Sequence, residues 1–359
     1  MRRESCVVVV TCVVLAAICC CTAAETAQSR RMYVNPVGGE IRMGDPFILQ
    51  YGDGYYLYGT TAGDGFKCWR SSDLVNWFAA GEDGYAYRAT AESWGGRTFW
   101  APEVVYYKGR FYMVFSCQPA KDKEFGMRIC LAVSDKADGP FKDMRAPLFD
   151  NGWSCIDGHI FIDGDGSAYL FFDKVGAEGD AWSEKAEGYL YGIIYGVRLK
   201  DDLSGTSGEP VKCLEAESSA SWELSKSPGC PRTRCNEGAF VFKREGKYHI
   251  TYSANYYADP NYGIGYATAS APLGPWTKSK DNPLAQKDTF IGVSGPGHNS
   301  ITESPDHREV FMVYHTHADA NRPSGERDVN IDRLVFEKDG KMKLKGPTRS
   351  SQPMPSGAK

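Results

Sequence analysis

The sequence predicts an all-β fold, a five-bladed β-propeller, and three observations carry that expectation. One hairpin pattern, a short apolar run, a turn and an aromatic-rich run, recurs five times. Repetition on this scale marks a solenoid or a propeller, because a lone unit cannot bury both of its faces. No window carries a long helical period. Five units of about 60 residues would also use up the chain that follows the N-terminal leader.

The first unit opens at Asp45-Pro46-Phe47, turns at Gly52-Asp53-Gly54 and returns through Tyr55 to Tyr58. The second opens at Ala101-Pro102-Glu103 and turns at Lys108-Gly109. The third opens at Asp157-Gly158-His159 and turns at Gly164-Asp165-Gly166. The fourth opens at Glu237-Gly238-Ala239 and turns at Glu245-Gly246, and the fifth opens at His298-Asn299-Ser300 and turns at Pro305-Asp306. Each is a β-hairpin signal. Second hairpins lie between them, closed by polar turns with an aromatic: Ser71 to Trp77, Gly139-Pro140-Phe141 and Gly274-Pro275-Trp276. Their rings are expected between sheets. Tyr189 to Tyr195 reads as strand. The propeller is therefore expected over residues 33–346, with long polar insertions at Lys174–Glu187 and Leu214–Cys235 near the cavity mouth. The tail after Gly346 (347–359), rich in Ser, Pro and Lys, reads as disordered.

Residues 1–24 read as a signal peptide. Met1-Arg2-Arg3 is a basic start, Val7–Cys21 is apolar, and Thr22-Ala23-Ala24 offers small residues for cleavage. The apolar run falls short of the about 20 residues of a membrane span. A secreted or periplasmic protein is expected. A lipid anchor on Cys19, Cys20 or Cys21 is an option, though none follows the usual small residue. A net charge of −4 and the lack of a basic cluster argue against nucleic acid as a partner. The cysteines after the leader are odd in number, and Cys117 with Cys130, or Cys230 with Cys235, are candidate pairs that sequence cannot decide.

If the five opening positions converge on one channel, Asp45, Asp157 and Glu237 share one register and His298 occupies the fifth. Any one of these acids could simply cap a turn, as Asp-Pro and Asp-Gly often do. Three at one register point to acid–base chemistry. Ala101 leaves space in the second blade, and Trp100 beside it is a ring that could stack on a substrate. His315 and His317 fall on one face of a strand, a spacing zinc can use, but no third ligand is evident. Asp163-Gly164-Asp165 starts like a calcium loop, yet Lys174 fills the twelfth position, so it reads as a hairpin tip.

Together, Gly44-Asp45-Pro46, Trp100-Ala101-Pro102-Glu103, Ile156-Asp157-Gly158, Asn236-Glu237-Gly238 and Gly297-His298-Asn299 closely resemble the pattern of glycoside hydrolase family 43, in order from Tyr33 to Gly346. That family holds β-xylosidases, α-L-arabinofuranosidases, arabinanases and exo-galactanases on five-bladed propellers. The resemblance implies Asp45 as general base, Glu237 as general acid and Asp157 as the carboxylate that raises and orients the acid. It implies Arg327 in a sugar subsite, binding hydroxyls by its fork, although a surface ion pair would also suit it. It implies no required cofactor, with a calcium or sodium ion as an option in the channel near His298; a buried histidine bonded to backbone is the plainer reading of that residue. An α-L-arabinofuranosidase or β-xylosidase acting on plant oligosaccharide or polysaccharide is expected, with arabinofuranosides favoured because no second domain follows to narrow the site. Two other readings stand beside it. One is a retaining fructosidase-like propeller, whose motifs are only partly echoed. The other is a propeller that binds polysaccharide without cleaving it, against which the three intact carboxylates argue.

Overall fold

The computed structural model describes residues 31–121, 126–175, 182–183, 188–217, 219–227, 233–323 and 325–359. The leader at 1–24 and Cys230 lie outside them. From Met32 onward the chain forms five consecutive antiparallel arrays of four strands, which are the five blades. Blade one comprises Gly44–Tyr51, Gly54–Thr60, Gly65–Ser71 and Phe78–Arg88; blade two comprises Gly95–Tyr107, Arg110–Pro119, Arg128–Ser134 and Lys142–Arg145. Blade three has Ser154–Ile162, Ala168–Val175, Gly188–Arg198 and Val211–Leu214, and blade four has Thr233–Arg244, Lys247–Ala254, Gly263–Ala269 and Thr277–Lys278. Blade five is Gly297–Glu303, Val310–His317, Arg327–Phe336 and Met342–Leu344. Blades three and four also touch through a short parallel pairing of Tyr189 with Thr233 and Gly192 with Cys235. Among the described residues, no helix is long and apolar enough to cross a membrane.

Strand periodicity explains the stacking. Successive side chains of a strand point to opposite faces, so one strand can feed two cores. Tyr55 and Leu57 pack toward blade five, whereas Tyr56 and Tyr58 pack toward blade two. Phe111, Met113 and Phe115 join the core with blade one, while Tyr112 and Val114 join the core with blade three. Leu170 and Phe172 face blade two, and Phe171 faces blade four. Each of the five blade-to-blade interfaces thereby acquires its own apolar cluster. Phe141 is buried in the first of them, and Trp77 and Trp276 pack against the third and fourth, as their turn motifs predict.

Each inner strand carries a bulge at its start. The pairing register breaks after Gly44, Trp100, Ile156, Glu237 and Gly297. The next residue in every case has positive φ: Asp45 (55°), Ala101 (45°), Asp157 (56°), Gly238 (61°) and His298 (47°). The common register expected for the acids is thus corrected in blade four. Gly238 occupies the place of Asp45 and Asp157, and Glu237 sits one residue earlier, in the place of Gly44 and Ile156. The backbone N–H of each bulge residue donates to a side chain on the second strand of the preceding blade. Ala101 donates to Thr60 Oγ1 (2.9 Å), Asp157 to Ser116 Oγ (2.9 Å), and Gly238 to Asp173 Oδ2 (2.9 Å). His298 donates to Ser253 Oγ (2.7 Å), and Asp45 closes the ring on His315 Nδ1 (3.1 Å). Five bonds run once around the channel.

The segment after Gly346 is ordered, which corrects the expectation of disorder. Its polar residues satisfy buried groups of blade five. Thr348 gives both its hydroxyl and its N–H to Asp332, at 2.6 and 3.1 Å. Arg349 donates to Asn330 Oδ1 (2.6 Å) and Thr316 Oγ1 (3.0 Å). Gln352–Pro353 then pairs with Met32–Tyr33, while Asn35 exchanges two bonds with the backbone of Ile331. Composition misleads here because these side chains are partners for buried acceptors rather than for solvent. Deleting residues 347–359 is therefore expected to leave Asp332 with only Tyr314 and Asn35 as donors and to cost about 1–3 kcal/mol. A thermal or urea melt matching that of the full chain would contradict this.

Candidate active site

The six residues singled out from sequence, Asp45, Trp100, Asp157, Glu237, His298 and Arg327, all line one cavity of ≈ 200 Å³. At ~30 Å³ per water that equals about seven waters, the scale of one sugar ring. Trp100, Tyr191 and Tyr257 are exposed at its rim.

Asp45 is held at every oxygen. Oδ1 lies 3.1 Å from Arg327 Nη1 and 3.3 Å from His298 Nδ1, and Oδ2 accepts the Thr60 hydroxyl at 2.5 Å. His315 Nδ1 is 3.6 Å from Oδ1 but accepts the Asp45 N–H, so that ring is neutral and the contact is no ion pair. Burial pushes the His315 pKa well down, in keeping with this. Burial alone would raise the Asp45 carboxyl. The Arg327 guanidinium, the His298 ring and the Thr60 hydroxyl outweigh it and hold Asp45 well below the usual carboxylate range. Arg327 reaches that position because Gly44 has no side chain; a Cβ there would fall 2.1 Å from the guanidinium. With one nitrogen committed to Asp45 and a mostly buried side chain, Arg327 is not the surface ion pair that sequence left open.

Glu237 is held differently. Oε1 accepts the Tyr262 hydroxyl at 2.7 Å and Oε2 lies 3.4 Å from Cys235 Sγ. Tyr262 stacks flat on His315, 5.8 Å between centroids, in space that a side chain at residue 297 would fill. Burial raises the Glu237 carboxyl despite the opposing pull of Tyr262 and His298. The largest cause is thus burial rather than the neighbouring negative charge expected from sequence. Asp157 is also buried, and burial, with the nearby charges of Glu237 and Asp45, lifts it to about 7 against the pull of His298. The His298 ring bridges the two aspartates, 3.3 Å from Asp45 and 3.8 Å from Asp157 Oδ2. Burial disfavours its charged form, yet the surrounding carboxylates win and raise its pKa.

Sequence reasoning missed Thr60, Tyr262, Cys235 and Asp173. Thr60 and Asp173 act from second strands and Tyr262 from just before a third strand, away from the legible motifs, whereas Cys235 precedes Glu237 by two residues on the same strand. The metal expectation fits less well. His298 turns Nδ1 to carboxylates, His317 is engaged by Ser294 Oγ (2.9 Å) and the Tyr257 carbonyl (2.8 Å), and no group of three or more His, Cys, Asp or Glu among the described residues is arranged to hold an ion. Cys117 and Cys130 stand as thiols with sulfurs 3.5 Å apart.

Residues 33–342 match the family described as glycosyl hydrolases family 43. The chain belongs to that family. It is a glycoside hydrolase of the inverting type on a five-bladed β-propeller. Similar solved structures include a thermostable family-43 glycoside hydrolase, 46% identical with TM-score 0.80, covering 90% of this chain and 99% of the other. A structure titled endo-1,4-β-xylanase from Bacteroides thetaiotaomicron is 32% identical with TM-score 0.70, covering 91% and 99%. Among characterised relatives, a xylosidase/arabinosidase of Bacteroides ovatus is 30% identical over 69% of this chain and 74% of its own. A β-D-galactofuranosidase of Aspergillus niger is 25% identical over 83% and 81%.

Thr60 serves both the ring and the base, so the isosteric Thr60→Val should leave the Ala101 N–H and Asp45 Oδ2 short of partners. A loss of about 2–3 kcal/mol in urea unfolding is expected, and an unchanged midpoint would count against the ring bond.

Proposed function

We propose that the protein is an exported exo-acting α-L-arabinofuranosidase that also cleaves β-xylosides, removing terminal pentoses from plant-type oligosaccharides or polysaccharides. The observation that carries the reading is a pair of carboxyls lining one sugar-sized cavity with opposed environments, Asp45 paired with Arg327 and held below the usual carboxylate range, Glu237 raised by burial. Relatives named xylosidase/arabinosidase and extracellular exo-α-(1→5)-L-arabinofuranosidase support the substrate class and export. The small cavity with an aromatic rim supports action on a terminal residue.

The chemistry follows from the pair. Asp45 accepts a proton from water while the water oxygen bonds to the anomeric carbon. The glycosidic C–O bond breaks on the opposite face, and Glu237 gives its proton to the departing oxygen. The product has inverted configuration, and exchange with solvent restores both carboxyl groups. Arg327 and His298 keep Asp45 ionised, and the guanidinium nitrogens not spent on Asp45 can reach sugar hydroxyls. Asp157 tunes Glu237, and Trp100 offers a face for the sugar or its aglycone.

Asp45→Asn should lower kcat by about a thousandfold for every substrate, whereas Glu237→Gln should do so mainly for poor leaving groups, nitrophenyl glycosides being spared. Equal losses in both variants across leaving groups would sink the assignment. A panel of aryl arabinofuranosides, xylosides and galactosides should rank the first highest, and tight binding without turnover would favour the non-catalytic reading. The sign of the pH dependence is fixed by the shifts: a lowered base sets the acid limb of kcat/KM, a raised acid sets the alkaline limb. Arg327→Met removes the main force lowering Asp45, so the acid limb should move up by about one pH unit; an acid limb that stays put would show that another group sets it.

A further inference from the structure

The ring of interblade bonds asks only for an acceptor on each second strand, and Thr60, Ser116, Ser253 and His315 supply one without charge. Blade three uses a carboxyl instead. Asp173 is fully buried, directly opposite Ile156, the residue before Asp157. Its Oδ2 takes the Gly238 N–H at 2.9 Å, next to Glu237, while its Oδ1 has no donor among the described residues. A serine would make the ring bond, so the second oxygen answers to something else. The groups whose charge acts on it are the Asp157 and Glu237 carboxyls, and its own charge acts on the Cys155 and Cys235 thiols. A carboxyl buried among carboxyls is costly unless it keeps a proton and gives it to a neighbour.

We propose that Asp173 is a fourth carboxyl group of the site and acts as a positioning residue: Oδ2 clamps the peptide that follows Glu237, while a proton on Oδ1 is donated to Asp157. The donated hydrogen bond favours the Asp157 anion, whose charge in turn keeps the proton on Glu237. Burial and the charges of Asp157 and Glu237 raise the Asp173 pKa well above the carboxylate range, as a donor requires. Asp157 is faced also by His298 and Asp45, which remain in place in every variant below. The inference rests on the reading of Glu237 as general acid.

Two variants separate this role from a merely structural one. Asp173→Ser restores the hydroxyl used by blades two and four and should fold, but it lacks the second oxygen. Asp173→Asn keeps an acceptor for Gly238 and a neutral donor for Asp157. For Asp173→Ser, the alkaline limb of kcat/KM should fall by about half a pH unit or more, with kcat down about tenfold and KM little changed. Asp173→Asn should keep the wild-type limb and a kcat within about threefold. Thermal melts of both establish folding. An Asp173→Ser limb at the wild-type position, or an Asp173→Asn limb displaced as far as that of serine, overturns the proposal. Glu237→Gln serves as the control. If it retains the alkaline limb, the acid assignment fails; if it abolishes the limb while Asp173→Ser leaves it unmoved, only the role of Asp173 fails.

Discussion

Everything at the cavity depends on five backbone N–H groups that each find a side chain on the neighbouring blade. The bulge that lifts Asp45, Ala101, Asp157, Gly238 and His298 toward the channel removes their amides from the sheet ladder and forces positive φ. For a non-glycine residue that conformation costs about 1–2 kcal/mol, and an amide left buried and unpaired costs a similar amount again. Thr60, Ser116, Asp173, Ser253 and His315 supply the missing acceptors. The strained backbone that presents the chemistry and the closure of the propeller are thus one device, since no blade can hold its own bulge.

The same crowding sets the electrostatics. Burial raises all of the carboxyls, so the residue that must be ionised needs a specific countermeasure, and Asp45 alone has Arg327, His298 and Thr60 together. Glu237 has a tyrosine and a thiol, which orient it without overturning the effect of burial. Two glycines make this separation feasible. Gly44 gives Arg327 its path to Asp45, and Gly297 gives Tyr262 its place beside Glu237. Both occupy the pre-bulge position, where a side chain would otherwise enter the space of Arg327 or Tyr262, the groups that hold the two carboxyls.

Much of this was legible because a repeat makes equivalent positions visible. Asp45-Pro46, Asp157-Gly158 and His298-Asn299 mark their own bulges, and the aromatic runs of Tyr55–Tyr58 and Phe111–Phe115 announce strands that feed two cores. The acceptors were not legible. Thr60 or Ser253 in isolation is an ordinary strand residue, and only the neighbouring blade, distant in sequence, gives it a task. Blade four misleads for a related reason: aligning acid with acid places Glu237 on Asp45, whereas the backbone aligns Gly238 there. The tail misleads because composition cannot tell a polar residue facing water from Thr348 facing Asp332.

That one-residue offset has a chemical reason. Inversion needs a base and an acid on opposite sides of the sugar, so two carboxyls issuing from identical backbone positions with identical partners would serve it poorly. Asp45 leaves the chain from the bulge itself, short and fixed by a cation. Glu237 leaves one residue earlier with an extra methylene, and its hydrogen-bond partners, Tyr262 and Cys235, belong to its own blade and bond to no oxygen of Asp45. Because Glu237 has vacated the bulge, glycine can take that place at little steric cost, and its free amide falls to Asp173. The step that gives the acid its separate position therefore also ties its backbone to a carboxyl of blade three.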